Sequence, residues 1–185
     1  MKNFIEIYDN VLTHDECENI ISYFNNSSSI RPGTFGKSNT VDVNMKDSTD
    51  LVCTFHETNS IIDCLYNGLS YGTEKYVQSN QETESINSWH LYHKFNIQRY
   101  YPNQGYHVPH CESDGLDSNK RVLAWMYYLN TITDGGQTRF VTYDLNIDPI
   151  AGRLVIWPAY FTHIHHGIVS KSQTKYIATG WYVYS

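Results

Sequence analysis

The second half of this chain contains a series of short apolar segments that are separated by turn signals and not by helices. These segments are rich in Val, Ile, Tyr, Phe and Trp, which favour strands. Short strands that follow one another in this way are typical of a β-sandwich or a jelly-roll barrel. The predicted strands are Leu91–Tyr101, Tyr106–Glu112, Val122–Leu129, Gln137–Val141, Leu154–Trp157, Ile164–Val169 and Tyr176–Tyr184.

Helical patterns are confined to the first half of the chain. Thr13 and Glu16 have the spacing of a capping box, which predicts a helix that begins directly after a short strand at Phe4–Val11. A second helix is predicted over Ser60–Val77, where apolar residues recur at helical spacing. Between these helices, the segment Asn25–Asp50 is rich in Asn, Ser, Gly and Lys, and we interpret it as a mobile loop or an irregular hairpin.

These patterns together predict a mostly β fold with flanking α-helices. A length of 185 residues suits a single domain with a real core. We therefore predict one domain over residues 1–185, in which the strand and helices of residues 1–80 pack outside a double-stranded β-helix. This jelly-roll, cupin-like barrel is predicted to span residues 90–185.

Charge and cysteine content exclude several classes of function. The formal net charge of −6 and the pI near 5.8 argue against a nucleic-acid-binding protein. No apolar run approaches the length of a membrane span or resembles a signal peptide. The four Cys residues form no C-x-x-C motif, so free thiols in a reducing, cytoplasmic compartment are expected.

A candidate metal site is formed by His110 and Glu112 together with a histidine from the cluster at residues 163–166. In a strand, residues i and i+2 point to the same side, so His110 and Glu112 converge. Two imidazoles and one carboxylate hold a redox-active metal on one face and leave the other face open. A cation at Lys175 could anchor an anionic co-substrate beside the metal.

Two alternative classes of function remain at this point. The same three ligands also suit Zn²⁺, which would make the protein a hydrolase. The chain could also be a non-catalytic jelly-roll binding module in which the histidine and carboxylate cluster is vestigial. Neither alternative accounts for Lys175, a cation within the strongly apolar strand Lys175–Trp181, where an unpaired ammonium group is costly.

An ordered series of motifs resembles the prolyl 4-hydroxylase-like family of Fe(II)- and 2-oxoglutarate-dependent dioxygenases. The N-terminal segment Val11–Ile21 is also similar to the opening strand and helix of that family. The resemblance covers most of the chain except roughly residues 26–90. The matching motifs of the second half are Ile97–Pro102, Gly105–Glu112, Arg121–Asn130, Gly135–Phe140, Pro149–Pro158, His165–Gly167 and Lys175–Trp181.

The resemblance implies that His110, Glu112 and His165 bind Fe(II), and that 2-oxoglutarate and O2 are co-substrates with ascorbate as a reductant. The family places a Lys ten residues after its second His, and this spacing favours His165, with His163 as the alternative and His166 after it. One departure is that the family usually has Asp where this chain has Glu112.

The resemblance also implies which residues bind 2-oxoglutarate. Lys175 corresponds to the residue that pairs with the distal carboxylate, and Tyr128 to a residue that donates a hydroxyl group. Tyr100 or Tyr101 corresponds to a second hydroxyl donor, with Tyr100 preferred.

The predicted reaction is the hydroxylation of an unactivated C–H bond, with a proline in a peptide as the leading substrate. A free amino acid or another small molecule is the alternative substrate within the same reaction class. Trp181, Arg139 and Trp125 are candidates for substrate contact, and the segment Asn25–Asp50 is a candidate lid.

Overall fold

The computed structural model describes residues 2–36 and 40–185, and in this part of the chain the fold is mostly β. Two helices and two short 3-10 helices accompany the strands. The helices are α1 (His14–Asn26) and α2 (Ser60–Ser79). The strands are β1 (Glu6–Tyr8), β2 (Arg31–Pro32), β3 (Thr49–Thr54), β4 (Trp89–Tyr100), β5 (Arg121–Tyr128), β6 (Thr138–Phe140), β7 (Leu145–Ile147), β8 (Leu154–Pro158), β9 (His165–Gly167) and β10 (Lys175–Tyr184).

The strands form two antiparallel sheets of unequal size. The large sheet has the order β1-β8-β5-β10-β4-β3-β2, and the small sheet has the order β7-β6-β9. The predicted jelly-roll fold is confirmed, although the sheets are not closed into a barrel.

The two faces of the large sheet have different partners. Helices α1 and α2 cover one face, where Phe24, Leu65 and Trp125 belong to a single apolar cluster. On the opposite face, residues of the large sheet such as Met126 pack with Phe140 of the small sheet. Because successive side chains of a strand alternate between faces, each strand contributes to the helix-side core and to the space between the sheets.

The start of α1 has the predicted capping box. The hydroxyl of Thr13 accepts a hydrogen bond from the backbone N–H of Glu16 at 3.3 Å, and the Glu16 carboxylate accepts one from the backbone N–H of Thr13 at 2.8 Å. These bonds satisfy donors that a helix leaves without intrahelical partners.

Replacement of this cap is expected to destabilise the fold. Thr13→Ala removes the side-chain acceptor, and such losses cost about 1 kcal/mol of stability. The free energy of unfolding, measured by urea denaturation, should fall by that amount, whereas Ser28→Ala at an exposed position should leave it unchanged. An equal effect of the two substitutions would contradict the role of the capping box.

One predicted strand was wrong and two strands were not predicted. Residues 106–112 do not form a strand; they follow an irregular path with isolated bridges at Tyr106 and His110. Strands β3 and β7 were not predicted. Strand β3 begins within the segment Asn25–Asp50 and pairs there with β2, which agrees with the irregular hairpin, one of the two interpretations of that segment. The candidate lid also contains residues 37–39, which lie outside the described residues.

The described helices include none that could cross a membrane, because none is both long and apolar enough.

Candidate metal and co-substrate site

A cavity of about 440 Å³ is lined by side chains of both sheets. Strand β10 contributes every second residue to its wall, and β4 contributes Asn96, Gln98 and Tyr100. The segments 31–36 and 114–118 form much of its exposed part. The four residues of β10 in the wall are Lys175, Ile177, Thr179 and Trp181.

The structure brings the side chains of His110, Glu112 and His165 together in this cavity. One donor atom from each residue lies within 4.8 Å of the others. The Oε1 atom of Glu112 is 3.7 Å from Nε2 of His110 and 3.4 Å from Nε2 of His165. Three donor atoms at these separations can contact one ion.

Each histidine is oriented by a backbone carbonyl. Nδ1 of His110 lies 2.9 Å from the carbonyl oxygen of Val108, and Nδ1 of His165 lies 2.9 Å from that of His163. A carbonyl oxygen accepts only, so each Nδ1 carries a proton and Nε2 is the nitrogen of each ring that is available to bind a metal. This is the usual arrangement of metal-binding imidazoles, in which the distant ring nitrogen is held by a second group.

Backbone pairing brings the ligand-bearing segments together without a regular strand at His110. The backbone N–H groups of His110 and His165 each donate to the other residue's carbonyl at 2.9 Å. The N–H of Glu112 donates to the carbonyl of Ala159 at 3.0 Å. His110 and Glu112 therefore converge as predicted, but local pairing with β9 and with the end of β8 replaces the expected strand.

The carboxylate of Glu112 is ionised in this environment. Burial alone raises the pKa of the carboxyl group, but the imidazoles of His110 and His165 outweigh burial and hold this pKa well below its usual range. The second carboxylate oxygen, Oε2, accepts a hydrogen bond of 2.7 Å from the indole N–H of Trp181. Two imidazoles and one carboxylate are a donor set that suits Fe(II) and leaves coordination positions open.

The neighbouring histidines lie outside the three-donor group. The Nε2 atom of His163 lies 2.7 Å from the carbonyl oxygen of Asn3, and its Nδ1 atom is 2.8 Å from the hydroxyl of Thr162. Both ring nitrogens of His163 therefore have protein partners. His166 reaches the cavity wall, but none of its ring atoms belongs to the group.

Lys175 is a buried cation without a nearby carboxylate partner among the described residues. Its Nζ atom donates to the carbonyl of Gly136 at 3.1 Å and lies 5.0 Å from the centre of the Tyr100 ring. Burial lowers the pKa of this ammonium group to about 8. An anion beside Nζ would supply the missing countercharge.

Tyr100 lines the cavity, whereas Tyr101 does not contribute to its wall. The Tyr100 hydroxyl donates to Oε1 of Gln98 at 2.8 Å, and the amide of Gln98 donates to Asp50 at 3.0 Å. Asp50 in turn forms a buried ion pair of 2.6 Å with Lys46. Burial, followed by the charge of Asp50, raises the pKa of Tyr100 well above its usual range, so the hydroxyl stays protonated.

Tyr128 does not line the cavity, which differs from the expectation that it contacts the co-substrate directly. Its buried hydroxyl donates to the hydroxyl of Thr138 at 2.7 Å. Thr138 is part of the wall and is a residue that our sequence analysis missed. Its position two residues before the inward-facing Phe140 was the available signal, because i and i+2 share a face of a strand.

The candidates for substrate contact differ in their location. Trp181 lines the cavity. Trp125 is fully buried on the helix side of β5, in the same apolar cluster as Leu123 and Tyr127 of this strand. Arg139 lies between inward-facing residues of β6, so it points outward and forms a 2.6 Å ion pair with Asp144. Neither Trp125 nor Arg139 reaches the cavity.

Comparison with known proteins agrees with this site. Residues 95–183 match the model of the 2OG-Fe(II) oxygenase superfamily. No curated protein sequence matches the chain.

Several solved structures share the fold at low sequence identity. A viral collagen prolyl hydroxylase from Paramecium bursaria Chlorella virus-1, in complex with 2-oxoglutarate, is 20% identical with a TM-score of 0.72, covering 98% of this chain and 96% of that chain. A prolyl hydroxylase from Trichoplax adhaerens, in complex with a peptide fragment of the hypoxia inducible factor oxygen degradation domain, is 18% identical with a TM-score of 0.75 and coverages of 98% and 84%. A prolyl-4-hydroxylase from Pseudomonas putida is 15% identical with a TM-score of 0.72 and coverages of 100% and 94%.

Proposed function

We propose that this 2-oxoglutarate-dependent dioxygenase, whose residues 95–183 match the model of the 2OG-Fe(II) oxygenase superfamily, hydroxylates proline residues within peptides. In this proposal, His110, Glu112 and His165 hold the iron, and Lys175 holds the distal carboxylate of 2-oxoglutarate. The observation that carries the proposal is that one cavity contains the three converging donor atoms and a buried ammonium group.

The residues of this chain have distinct tasks in the proposed reaction. The bound iron, with 2-oxoglutarate and O2, supplies the oxidation that converts a C–H bond to C–OH while 2-oxoglutarate becomes succinate and CO2. Lys175 orients the co-substrate through its charge, and Tyr100 and Thr138 offer hydroxyl groups beside it. Tyr128 acts indirectly, because its hydroxyl fixes that of Thr138.

The shape of the cavity supports a peptide substrate. Its wall continues from the buried metal ligands to exposed residues on two separate segments, which include Arg31 and Pro32 on one side and Asp114 and Gly115 on the other. An opening of this kind admits a residue that remains part of a longer chain. The peptide complex of the Trichoplax adhaerens prolyl hydroxylase, which shares this fold, supports the same substrate class.

The proposal predicts peptide-dependent turnover of 2-oxoglutarate. With Fe(II), ascorbate and O2, proline-containing peptides should stimulate succinate formation, whereas the same peptides with alanine in place of proline should not. Label from isotopically enriched O2 should appear in the peptide proline. Stimulation by free amino acids alone would favour a small-molecule hydroxylase. Activity that depends on zinc and does not depend on oxygen would contradict the assignment as an oxygenase.

A further inference from the structure

Two side chains from the neighbouring strands β5 and β10, those of Arg121 and Trp181, lie near the carboxylate of Glu112. The family usually has Asp at this position, and Glu adds a methylene group and therefore a further rotatable bond. A longer ligand can rotate so that it offers one or both oxygens to the metal. The surroundings of Glu112 restrict this choice.

The two oxygens of the carboxylate have different neighbours. Oε1 is the atom that faces Nε2 of both His110 and His165. Oε2 points to the indole N–H of Trp181, with a donor–acceptor distance of 2.7 Å. A hydrogen bond to an ionised acceptor is stronger than one between neutral groups, so it competes with metal binding at Oε2.

Arg121 completes the arrangement. Its guanidinium lies 3.7 Å from the centre of the Trp181 ring, and Nη1 donates to the backbone carbonyl of Glu112 at 2.8 Å. The same Nη1 atom lies 3.6 Å from Oε2 of Glu112. Arg121 therefore contacts both the indole and the residue that the indole holds.

Strand pairing explains why these residues meet. Strand β10 pairs with β5, with Trp181 opposite Ala124 and Val183 opposite Arg121. The register shifts between Tyr182 and Val183, so an extra residue of β5 is accommodated at this point. Such irregularities re-aim side chains near functional sites.

We propose that Trp181 and Arg121 are positioning residues that hold Glu112 as a metal ligand through Oε1 alone. We call the three residues the Glu112 latch. The latch compensates for the longer side chain, because it restricts rotation about the additional side-chain bond of Glu112. It also keeps Oε2 away from the coordination positions that 2-oxoglutarate and O2 require. This inference rests on the proposed metal site but not on the identity of the substrate.

The latch is tested by cobalt binding to the whole protein in the absence of substrate. Trp181→Phe keeps an aromatic ring beneath Arg121 and removes only the donor to Glu112. Loss of a group that orients a metal ligand typically weakens metal affinity roughly 10- to 100-fold. We expect a loss of this size for Co(II), together with a changed d–d absorption spectrum as the carboxylate changes its coordination.

A matched control removes a different indole N–H from the large sheet. Trp89 begins β4, packs against the helix-side core and donates to the carbonyl of Thr83 at 3.4 Å. Trp89→Phe should leave the Co(II) affinity and spectrum unchanged. Equal affinities and spectra for wild-type protein and Trp181→Phe would overturn the latch while leaving the metal site intact. A wild-type protein that binds no Co(II) would reject the metal site and the proposed function as well.

Two further variants keep the proposal falsifiable if Trp181→Phe does not fold. Arg121→Met keeps an apolar stem on the indole but removes the guanidinium, and it should also weaken Co(II) binding and alter the spectrum. Glu112→Asp shortens the ligand and withdraws it from the indole, so Trp181→Phe should have little additional effect in that background. Unchanged Co(II) binding by Arg121→Met would contradict the latch. The latch would also be contradicted if Trp181→Phe weakened Co(II) binding as much in the Glu112→Asp protein as it does in the wild-type protein.

Discussion

His165→Ala is expected to abolish stable iron binding and 2-oxoglutarate turnover. The substitution removes one of three donor atoms, which leaves only His110 and Glu112 to hold the ion. The loss of affinity should exceed the roughly 10- to 100-fold effect of removing a group that only orients a ligand. Equilibrium titration with Fe(II) under anaerobic conditions measures this loss, and succinate formation reports the loss of activity.

His163→Gln is the matched control for this prediction. His163 lies two residues away and is buried, but its ring nitrogens contact Asn3 and Thr162 and do not face the cavity. Its substitution should lower the free energy of unfolding, because buried polar groups lose their partners, while iron affinity is retained. Iron binding that survives His165→Ala but not His163→Gln would reverse the assignment of the distal ligand.

Much of the site could be predicted because its signals are local. His110 and Glu112 lie only two positions apart, and their donor atoms converge even though residues 110–112 form no regular strand. The capping box of Thr13 likewise involves residues three positions apart. Such features are read from a short window of sequence.

Features that depend on pairing between distant segments were missed. Trp125 was a candidate for substrate contact, but it lies on the face of the sheet that the helices cover. Strand β3 gave no clear strand signal, because it begins at the end of a polar segment, yet it pairs with β4 over its whole length. Arg121 became relevant only through the register shift between β5 and β10.

The contacts of Glu112 illustrate the same limit at the level of single atoms. The sequence indicates a carboxylate at this position, but not which of its oxygens faces the histidines. That choice depends on Trp181, which lies 69 residues further along the chain. The effect of Glu in place of Asp in such a motif can therefore be predicted only when the side chains that contact the carboxylate are known.

Lys175→Ala is expected to weaken 2-oxoglutarate binding by at least ten- to a hundredfold while metal binding is largely retained. A charge-assisted hydrogen bond contributes about 1.5–3 kcal/mol, which corresponds to a factor of this size. Lys175 lies on β10 and does not belong to the three-donor group. Calorimetric titration of 2-oxoglutarate into Mn(II)-loaded protein without O2 measures the effect, and Lys171→Ala, at an exposed position, serves as the control.

The same lysine should make 2-oxoglutarate binding dependent on pH. Burial lowers the pKa of Lys175 from 10.5 to about 8 in the free protein, so the ammonium form is fully populated only below that pH. A bound dicarboxylate favours this charged form and raises the pKa, so binding takes up a proton above pH 8. The affinity for 2-oxoglutarate should therefore be constant below about pH 8 and fall as the pH rises further.

Lysine titration also affects the stability of the free protein, with the opposite sign. The pKa of Lys175 is lower in the folded state than the ordinary value of 10.5, so between about pH 8 and 10.5 the unfolded chain binds the extra proton. Burial of the charged ammonium group therefore lowers the free energy of unfolding below about pH 8. This free energy rises again as the pH increases from about 8 to 10.5. Lys175→Ala should remove this pH dependence of stability and also the pH dependence of 2-oxoglutarate binding. A variant that binds 2-oxoglutarate as tightly as wild-type protein, with the same decline above pH 8, would show that Lys175 does not hold the co-substrate.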